Sequence, residues 1–289
     1  MITASVVTYN HHLLDFEPVL RSLFASPVDV IYVIDHSDDM LDLKSELQEF
    51  AASVLNAEPE LRQKAAQGFK LIYLPHENNG YGGGHNVALR EAEKLGSEFH
   101  LVVNPDVWFG PEVMPALIDY MRQHEDVGQM MPKVLFPNGQ IQPLAKMLPA
   151  PIDTIGRFCL PEFLIRRRNN RFELRQSGFT KILNVPFLSG CFMFLRMSAV
   201  SQVGLFDEHF FLYAEDIDFT RRMHQQYKTL YYPSTTVYHT FTRGSRKSLR
   251  LLYYHTMSTL KYFNKWGWWR DKEREEVNEN VSEQIGGIV

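Results

Sequence analysis

Asp106 ends the run Asn104-Pro105-Asp106, which follows the apolar stretch 99–103. It therefore stands at the carboxyl end of a buried strand, where open α/β sheets bind their ligands. A carboxylate fixed there can hold a hard divalent cation, Mg2+ or Mn2+, whose other positions go to diphosphate oxygens and water. Asn104 stands where a second acid would serve, and its amide is a weaker neutral ligand or a partner for a sugar. The plainer alternative for Asp106 is a turn residue after Pro105.

Other segments follow the same logic. Asp35 closes the β-branched run 30–34, and its carboxylate can accept from a pyrimidine NH or a ribose hydroxyl; the alternative is a cap or turn, which Ser37 and Asp38 also serve. The run 78–86, Asn-Asn-Gly-Tyr-Gly-Gly-Gly-His-Asn, reads as a glycine loop that lets backbone approach a ligand before a helix begins. That reading turns Asn86 into the cleft; a plain surface loop is the alternative. A nicotinamide fingerprint is disfavoured, because His85 stands where it needs glycine. Glu215, Asp216 and Asp218 crowd a helix start behind an aromatic run. Capping accounts for one acid, not three. Beside apolar groups a carboxylate gains basicity, as a general base for a hydroxyl requires; Asp216 is the candidate, with Glu215 positioning the acceptor. His239 can complete a metal shell and Arg243 with Ser245 can hold phosphate oxygens, although a lone histidine is more often a packing residue.

The elements that must position these groups alternate in the first half. Strands are expected at 3–8, 30–34, 69–74 and 99–103, with helices at 13–25, 41–54 (extending to about 67), 86–95 and 112–124, a pattern that implies a parallel sheet with right-handed crossovers. The second half mixes a hairpin at 134–142 with a Pro-Asn-Gly turn, a stretch at 149–181 without clear period, a continuous apolar strand at 187–195, a helix at 214–226 and a short strand at 229–232. A long amphipathic helix spans 245–266, and the charged chain from 271 reads as frayed.

The 289 residues carry a formal net charge of -4 and are 45% hydrophobic. That suits a folded globular chain and gives no reason to expect nucleic acid. Cys159 and Cys191 make no disulfide framework and no zinc pattern, so a cytoplasmic setting is the simplest. The apolar start reads as a core strand rather than a leader peptide. From 219 to 270 there is no acid, and basic residues beside Trp266, Trp268 and Trp269 suit a peripheral contact with the inner face of the plasma membrane; a helix packed on its own domain is the equal alternative.

Together these motifs resemble the family 2 inverting glycosyltransferases of GT-A fold, and among them the bacterial rhamnosyltransferase type. The resemblance runs from Ser5-Val6-Val7-Thr8-Tyr9-Asn10 to about Ser245. It implies an α/β, Rossmann-like, mostly parallel sheet flanked by helices, with a smaller mixed-sheet acceptor region and a C-terminal amphipathic helix. The division expected is a GT-A domain over 1–245, with a nucleotide-sugar half to about 110 and an acceptor half beyond, then a helical appendage over 246–289 with a charged tail. The resemblance makes Thr8, Asn10, Asp35, Asn78, Gly80, Tyr81, Gly84, Asn86, Asn104, Arg243 and Ser245 donor-binding positions. It makes Asp106 and His239 the metal ligands, and Asp216 with Glu215 the catalytic pair. The implied reaction is single-displacement transfer of a sugar, with dTDP-rhamnose a suggested donor, to a glycan or lipid-linked acceptor in cell-surface polysaccharide synthesis. A non-catalytic nucleotide-sugar or glycan-binding module on the same scaffold is the alternative.

Overall fold

A computed structural model describes residues 1–37, 43–57, 59–156, 160–240 and 248–286. Asp38, the expected helix start at Leu41, Cys159, and the 245–247 start of the long helix lie outside the described residues. The first half runs β1 (Ile2–Thr8), α1 (Leu13–Phe24), β2 (Val30–Asp35), α2 (Leu43–Ala57), α3 (Pro59–Ala66), β3 (Lys70–Pro75), α4 (Gly80–Lys94) and β4 (Phe99–Val103). Then come β5 (Val107–Phe109), α5 (Val113–Gln123), β6 (Val127–Leu135), β7 (Ala145–Lys146), α6 (Pro151–Thr154), α7 (Glu162–Phe172), β8 (Leu183–Asn184), β9 (Phe187–Leu188) and β10 (Phe192–Arg196). The chain continues through α8 (Met197–Val203), α9 (Glu215–His224), β11 (Lys228–His239), α10 (Leu249–Trp266) and α11 (Lys272–Gln284).

The main sheet has the order β3-β2-β1-β4-β10-β6-β11-β5, with β8 also on β11. β3, β2, β1 and β4 are mutually parallel, as their intervening helices require. Helices cover both faces, so every residue of β2 and β4 is buried and the strands read as unbroken apolar runs. β10 enters antiparallel against β4 and makes the second half mixed. β7 and β9 form a separate small sheet.

Several elements depart from the sequence pattern. The helix expected from Asn86 begins at Gly80, so the glycine run is its first turn. Tertiary packing overrides glycine's poor helix propensity here: a Cβ on Gly82 would lie 2.9 Å from the Phe206 Cβ, and one on Gly84 2.7 Å from the His36 ring. The single strand expected at 187–195 breaks at Ser189-Gly190-Cys191, and its two halves join different sheets. β11 runs far past Tyr232, because a register shift between Tyr232 and Thr236 absorbs Pro233, Ser234 and Thr235.

The chain beyond 270 is not frayed. Asp271 caps α11 by accepting the Arg274 N–H at 3.0 Å, and Arg274 and Val281 are buried. The anchor is Arg221 on α9, 1% exposed. Its guanidinium donates to both Asp271 oxygens at 2.8 Å and to Glu273 at 2.7 Å, and stacks 4.1 Å from the Trp266 ring centroid. Tyr262 and Phe263 are buried, and Trp266 donates to Asp218 at 2.8 Å. Much of the aromatic face of α10 is thus spent in packing. Among the described residues no helix is long and apolar enough to cross a membrane.

Removing one partner of a buried ion pair strands the other charge. Asp271→Ala is therefore expected to lower unfolding stability by about 3–5 kcal/mol, measured by denaturant unfolding; a change under 1 kcal/mol, on the order of a surface pair, would show that α11 is only loosely held.

Candidate active site

Parallel pairing sets Thr8 opposite Asp35 and Asp35 opposite Pro75, so the carboxyl ends of β1, β2 and β3 align. Asp35 is 4% exposed. One of its oxygens accepts from the Thr8 hydroxyl at 3.2 Å and from the Ser37 N–H and hydroxyl at 3.1 and 2.6 Å; the other accepts from the Tyr73 hydroxyl at 2.8 Å. Burial and then this hydrogen bond push the Tyr73 phenol up to about 12, so it stays a donor. The Asp35 carboxylate is held rigidly, with acceptor capacity left on the oxygen that meets Tyr73. Asn10 lies nearby in a left-handed conformation, φ 54°, its N–H donating to Ser37 Oγ at 2.9 Å.

The start of α4 is set by close approach. Gly80 has φ 83°, and a Cβ there would collide with the Phe211 carbonyl oxygen. The Gly80 N–H donates to Asn78 Oδ1 at 3.2 Å and the Tyr81 N–H to Phe211 O at 2.9 Å. Asn86 does not face the cleft. It is fully buried, donates to Phe206 O at 2.9 Å and Glu208 at 2.8 Å, and accepts the Phe206 N–H at 2.9 Å. The helix begins two turns before it, which rotates its amide into the 206–208 turn. Asn86 is a clamp between segments.

Strand pairing of β11 with β5 places His239 opposite Val107. The His239 Nε2 lies 3.2 Å from an Asp106 oxygen, and its Nδ1 lies 3.0 Å from Gln142 Oε1. Gln142 also donates to the His239 carbonyl at 2.7 Å. Its amide nitrogen being so used, Oε1 accepts from Nδ1–H, and in the neutral ring Nε2 keeps the lone pair beside Asp106. Burial opposes a charge on this imidazole, but the Cys191 sulfur and the Asp106 carboxylate outweigh it and hold the histidine up to about 10. Asn104 and Asp106 line a cleft of about 610 Å³ shared with Val7, His11, Tyr81 and Trp108. Among the described residues no three His, Cys, Asp or Glu side chains cluster as a metal cage. One carboxylate oxygen and one imidazole nitrogen on a cleft nevertheless fit a Mg2+ or Mn2+ ion that takes its other ligands from a diphosphate and water.

The acid pair starts α9. Tyr213 and Ala214 precede it with φ 69° and 67°, two consecutive left-handed non-glycine residues, a costly turn of the sort found at functional sites. Asp216 accepts the Gly190 N–H and the Ile217 N–H, each at 2.9 Å. Glu215 is 4% exposed, and its Oε2 has no hydrogen-bond partner among the described residues. Burial, then the charge of Asp216, raises the Glu215 carboxyl well above its usual range. Burial also raises Asp216, but the Gly190 and Ile217 N–H groups and Lys146 pull it back. Burial thus disfavours charge on both acids, and the two N–H groups favour the charged form on Asp216. Asp218 is set apart, paired with Arg222 at 2.9 Å and Lys265 at 2.7 Å.

Tyr81 joins the two corners. Its hydroxyl donates to Gly190 O at 2.5 Å, while the Gly190 N–H holds Asp216. Burial first, then the charges of Glu215, Asp216, Cys191 and Asp106, raise its phenol well above normal. The Asn104 N–H donates to Cys191 O at 3.0 Å, so the break between β9 and β10 touches both corners. Thr8, Asn10, Asp35, Asn78, Gly80, Tyr81, Gly84, Asn104, Asp106, Glu215, Asp216 and His239 all fall on the carboxyl-end side of the β3-β2-β1-β4 sheet and its rim. Arg243 and Ser245 lie outside the described residues. Tyr73, Gln142 and Lys146 escape sequence reading, whereas Gly190 opens the stretch 190–196 that resembles the family's acceptor and base region. As a glycine interrupting an apolar run it also carries a local signal.

The sequence model of the glycosyl transferase family 2 matches residues 3–204, and the chain belongs to that family. The N-acetylglucosaminyl-diphospho-decaprenol L-rhamnosyltransferase of Mycobacterium tuberculosis is 28% identical over 211 residues, 67% of this chain and 67% of that one. The crystal structure of S. aureus TarS superposes with a TM-score of 0.56 at 17% identity, over 99% of this chain and 44% of TarS. The mannosyltransferase PcManGT from Pyrobaculum calidifontis, in complex with GDP-Man and Mn2+, gives 0.62 at 13% identity over 99% of this chain and 70% of its own. The fold is GT-A. The chain spans less than half of TarS, and the acid pair and His239 lie beyond the segment matched by the family model.

Because Glu215 holds its proton more tightly folded than unfolded, the native state binds more protons between the two values, and stability falls as pH rises through that window. Glu215→Gln removes this slope. The variant is expected to overtake the wild type above the ordinary glutamate range and to lead by about 1–3 kcal/mol near neutral pH, read from unfolding curves across pH; parallel curves would place an ionised, solvated glutamate there instead.

Proposed function

We propose that this chain transfers a sugar from a nucleoside diphosphate donor to a hydroxyl of a glycan or lipid-linked acceptor, with inversion at the anomeric carbon. The observation that carries the reading is the meeting at Tyr81 of a basic carboxylate, Asp216, and the Asp106–His239 pair. The base and the leaving-group corner then belong to one site.

In this reading Asp35 orients the base or ribose of the donor while Thr8, Ser37 and Tyr73 keep it from turning. The two backbone N–H groups on Asp216 keep it anionic yet, being in a buried setting, basic enough to accept the acceptor hydroxyl proton as its oxygen attacks. Glu215 keeps its own proton, adds no second charge beside Asp216 and can donate a hydrogen bond to the acceptor. A divalent cation held by Asp106 and His239 would supply charge neutralisation at the departing diphosphate. A base and a leaving-group corner on opposite sides of the sugar permit one displacement and one inversion. The M. tuberculosis relative is named for rhamnosyl transfer to a diphospho-decaprenol carrier, which favours a deoxysugar donor such as dTDP-rhamnose and a lipid-linked acceptor here, with a role in cell-surface polysaccharide synthesis.

Asp216→Asn is expected to cut transfer on the order of 100- to 10,000-fold, while a manganese-dependent thermal shift with the nucleotide sugar persists. Proton NMR of the wild-type product should show the anomeric configuration opposite to the donor. Near-normal turnover in the variant, or a retained configuration, would overturn the assignment.

A further inference from the structure

The α6–α7 excursion takes no part in the site and carries an unusual surface. Phe163 and Leu164 on α7 are 77% and 62% exposed, and Ile152 and Ile155 at α6 are 41% and 40% exposed. On the inward face of the same helix Ile165 and Phe172 are 6% and 7% exposed. At helical spacing Phe163, Arg167 and Arg171 share the outward face, with Leu164 at its side. Arg166, Arg167 and Arg171 are exposed, and α7 holds a single acid, Glu162, against four arginines. Large apolar side chains at one end of a helix followed by arginines suit a surface that is apolar inside and anionic at its rim, namely a bilayer bearing acidic phospholipids.

The excursion is tied to the acid pair rather than hanging free. Arg168 pairs with Asp153 at 2.5 Å and locks α7 to α6. The Met147 N–H donates to Phe172 O at 3.1 Å, and the Lys146 ammonium lies 5.9 Å from the Phe172 ring centroid. Lys146 is also the side chain whose charge acts on Asp216. We infer that the outward face of α6 and α7 docks on an anionic phospholipid surface and presents the acid-pair end of the cleft to it. The exposed part of α10, Leu249 and Tyr253, with Trp269 just beyond the helix, is the competing surface, although the other aromatics of α10 are packed. The docking face is independent of which sugar moves, and so can fail or stand apart from the transfer chemistry.

The test is co-sedimentation of the full chain with vesicles of equal parts phosphatidylglycerol and phosphatidylcholine, against phosphatidylcholine alone. Wild type should bind only the anionic vesicles, and less as salt rises. Phe163→Ser with Leu164→Ser should weaken binding about tenfold for each side chain, and Arg166→Glu with Arg167→Glu about fivefold or more for each charge. Both variants should unfold as wild type does and keep its donor hydrolysis. No binding by wild type, or undiminished binding by the Phe163/Leu164 variant, would overturn the inference. So would loss on Trp269→Ser alone, which moves the contact to the chain just past α10, or a dimer in light scattering abolished by Phe163→Ser without vesicle binding, which makes the face a self-association surface.

Discussion

The hydrogen bond from the Tyr81 hydroxyl to the Gly190 carbonyl sets the relative position of the two corners to which the proposed chemistry is assigned. Gly190 sits in the interruption between β9 and β10, and the same residue's N–H holds Asp216. One residue on, the Cys191 carbonyl accepts from Asn104 at the head of the run that carries Asp106. Three peptide units thus connect a helix N-terminus, a strand end and the glycine-rich start of α4. Glycine leaves room at 190, where a Cβ would press to 3.1 Å on the Tyr81 oxygen and 3.3 Å on the Asp216 Cβ and push both aside.

Around that point burial does electrostatic work. Two adjacent acids in a desolvated setting do not both ionise readily. Here backbone donors decide which one does: Asp216 has two N–H groups, while the Glu215 Oε2 has none. The left-handed pair Tyr213-Ala214 delivers both acids to the cleft and Asp218 away from it, into contacts with Arg222, Lys265 and Trp266. The opposite corner is organised by Gln142, which fixes the His239 ring at Nδ1 and leaves Nε2 toward Asp106. Such outer contacts fix the direction of ligating atoms.

Legibility in the sequence followed burial pattern. The four parallel strands were readable because their unbroken apolar runs end in polar residues that the register then aligns: Thr8, Asp35 and Pro75 in adjacent strands. Asp106, Asp216 and His239 stand out because acids and a histidine at element ends have few structural duties, and the fold sets Asp106 beside His239 and Asp216 on the Gly190 N–H. What failed was long-range. The helical glycine run is dictated by Phe206, Phe211 and His36, more than 100 residues downstream or 40 upstream of it in the chain. Asn86 looked like a ligand group until Phe206 and Glu208 claimed it. The charged run after 271 looked frayed because the cation that orders it, Arg221, is 50 residues away. Gln142 has no local signature at all.

The central claim is that the Tyr81–Gly190 link positions the base relative to the donor corner rather than binding the donor. Steady-state kinetics of Tyr81→Phe test this most directly, since phenylalanine keeps the ring packing on His85 and Phe206 and loses only the hydroxyl. The account predicts a fall in kcat of about tenfold, the worth of one buried hydrogen bond, with the KM for the donor unchanged. An unchanged kcat with a raised donor KM would contradict it and make Tyr81 a donor contact.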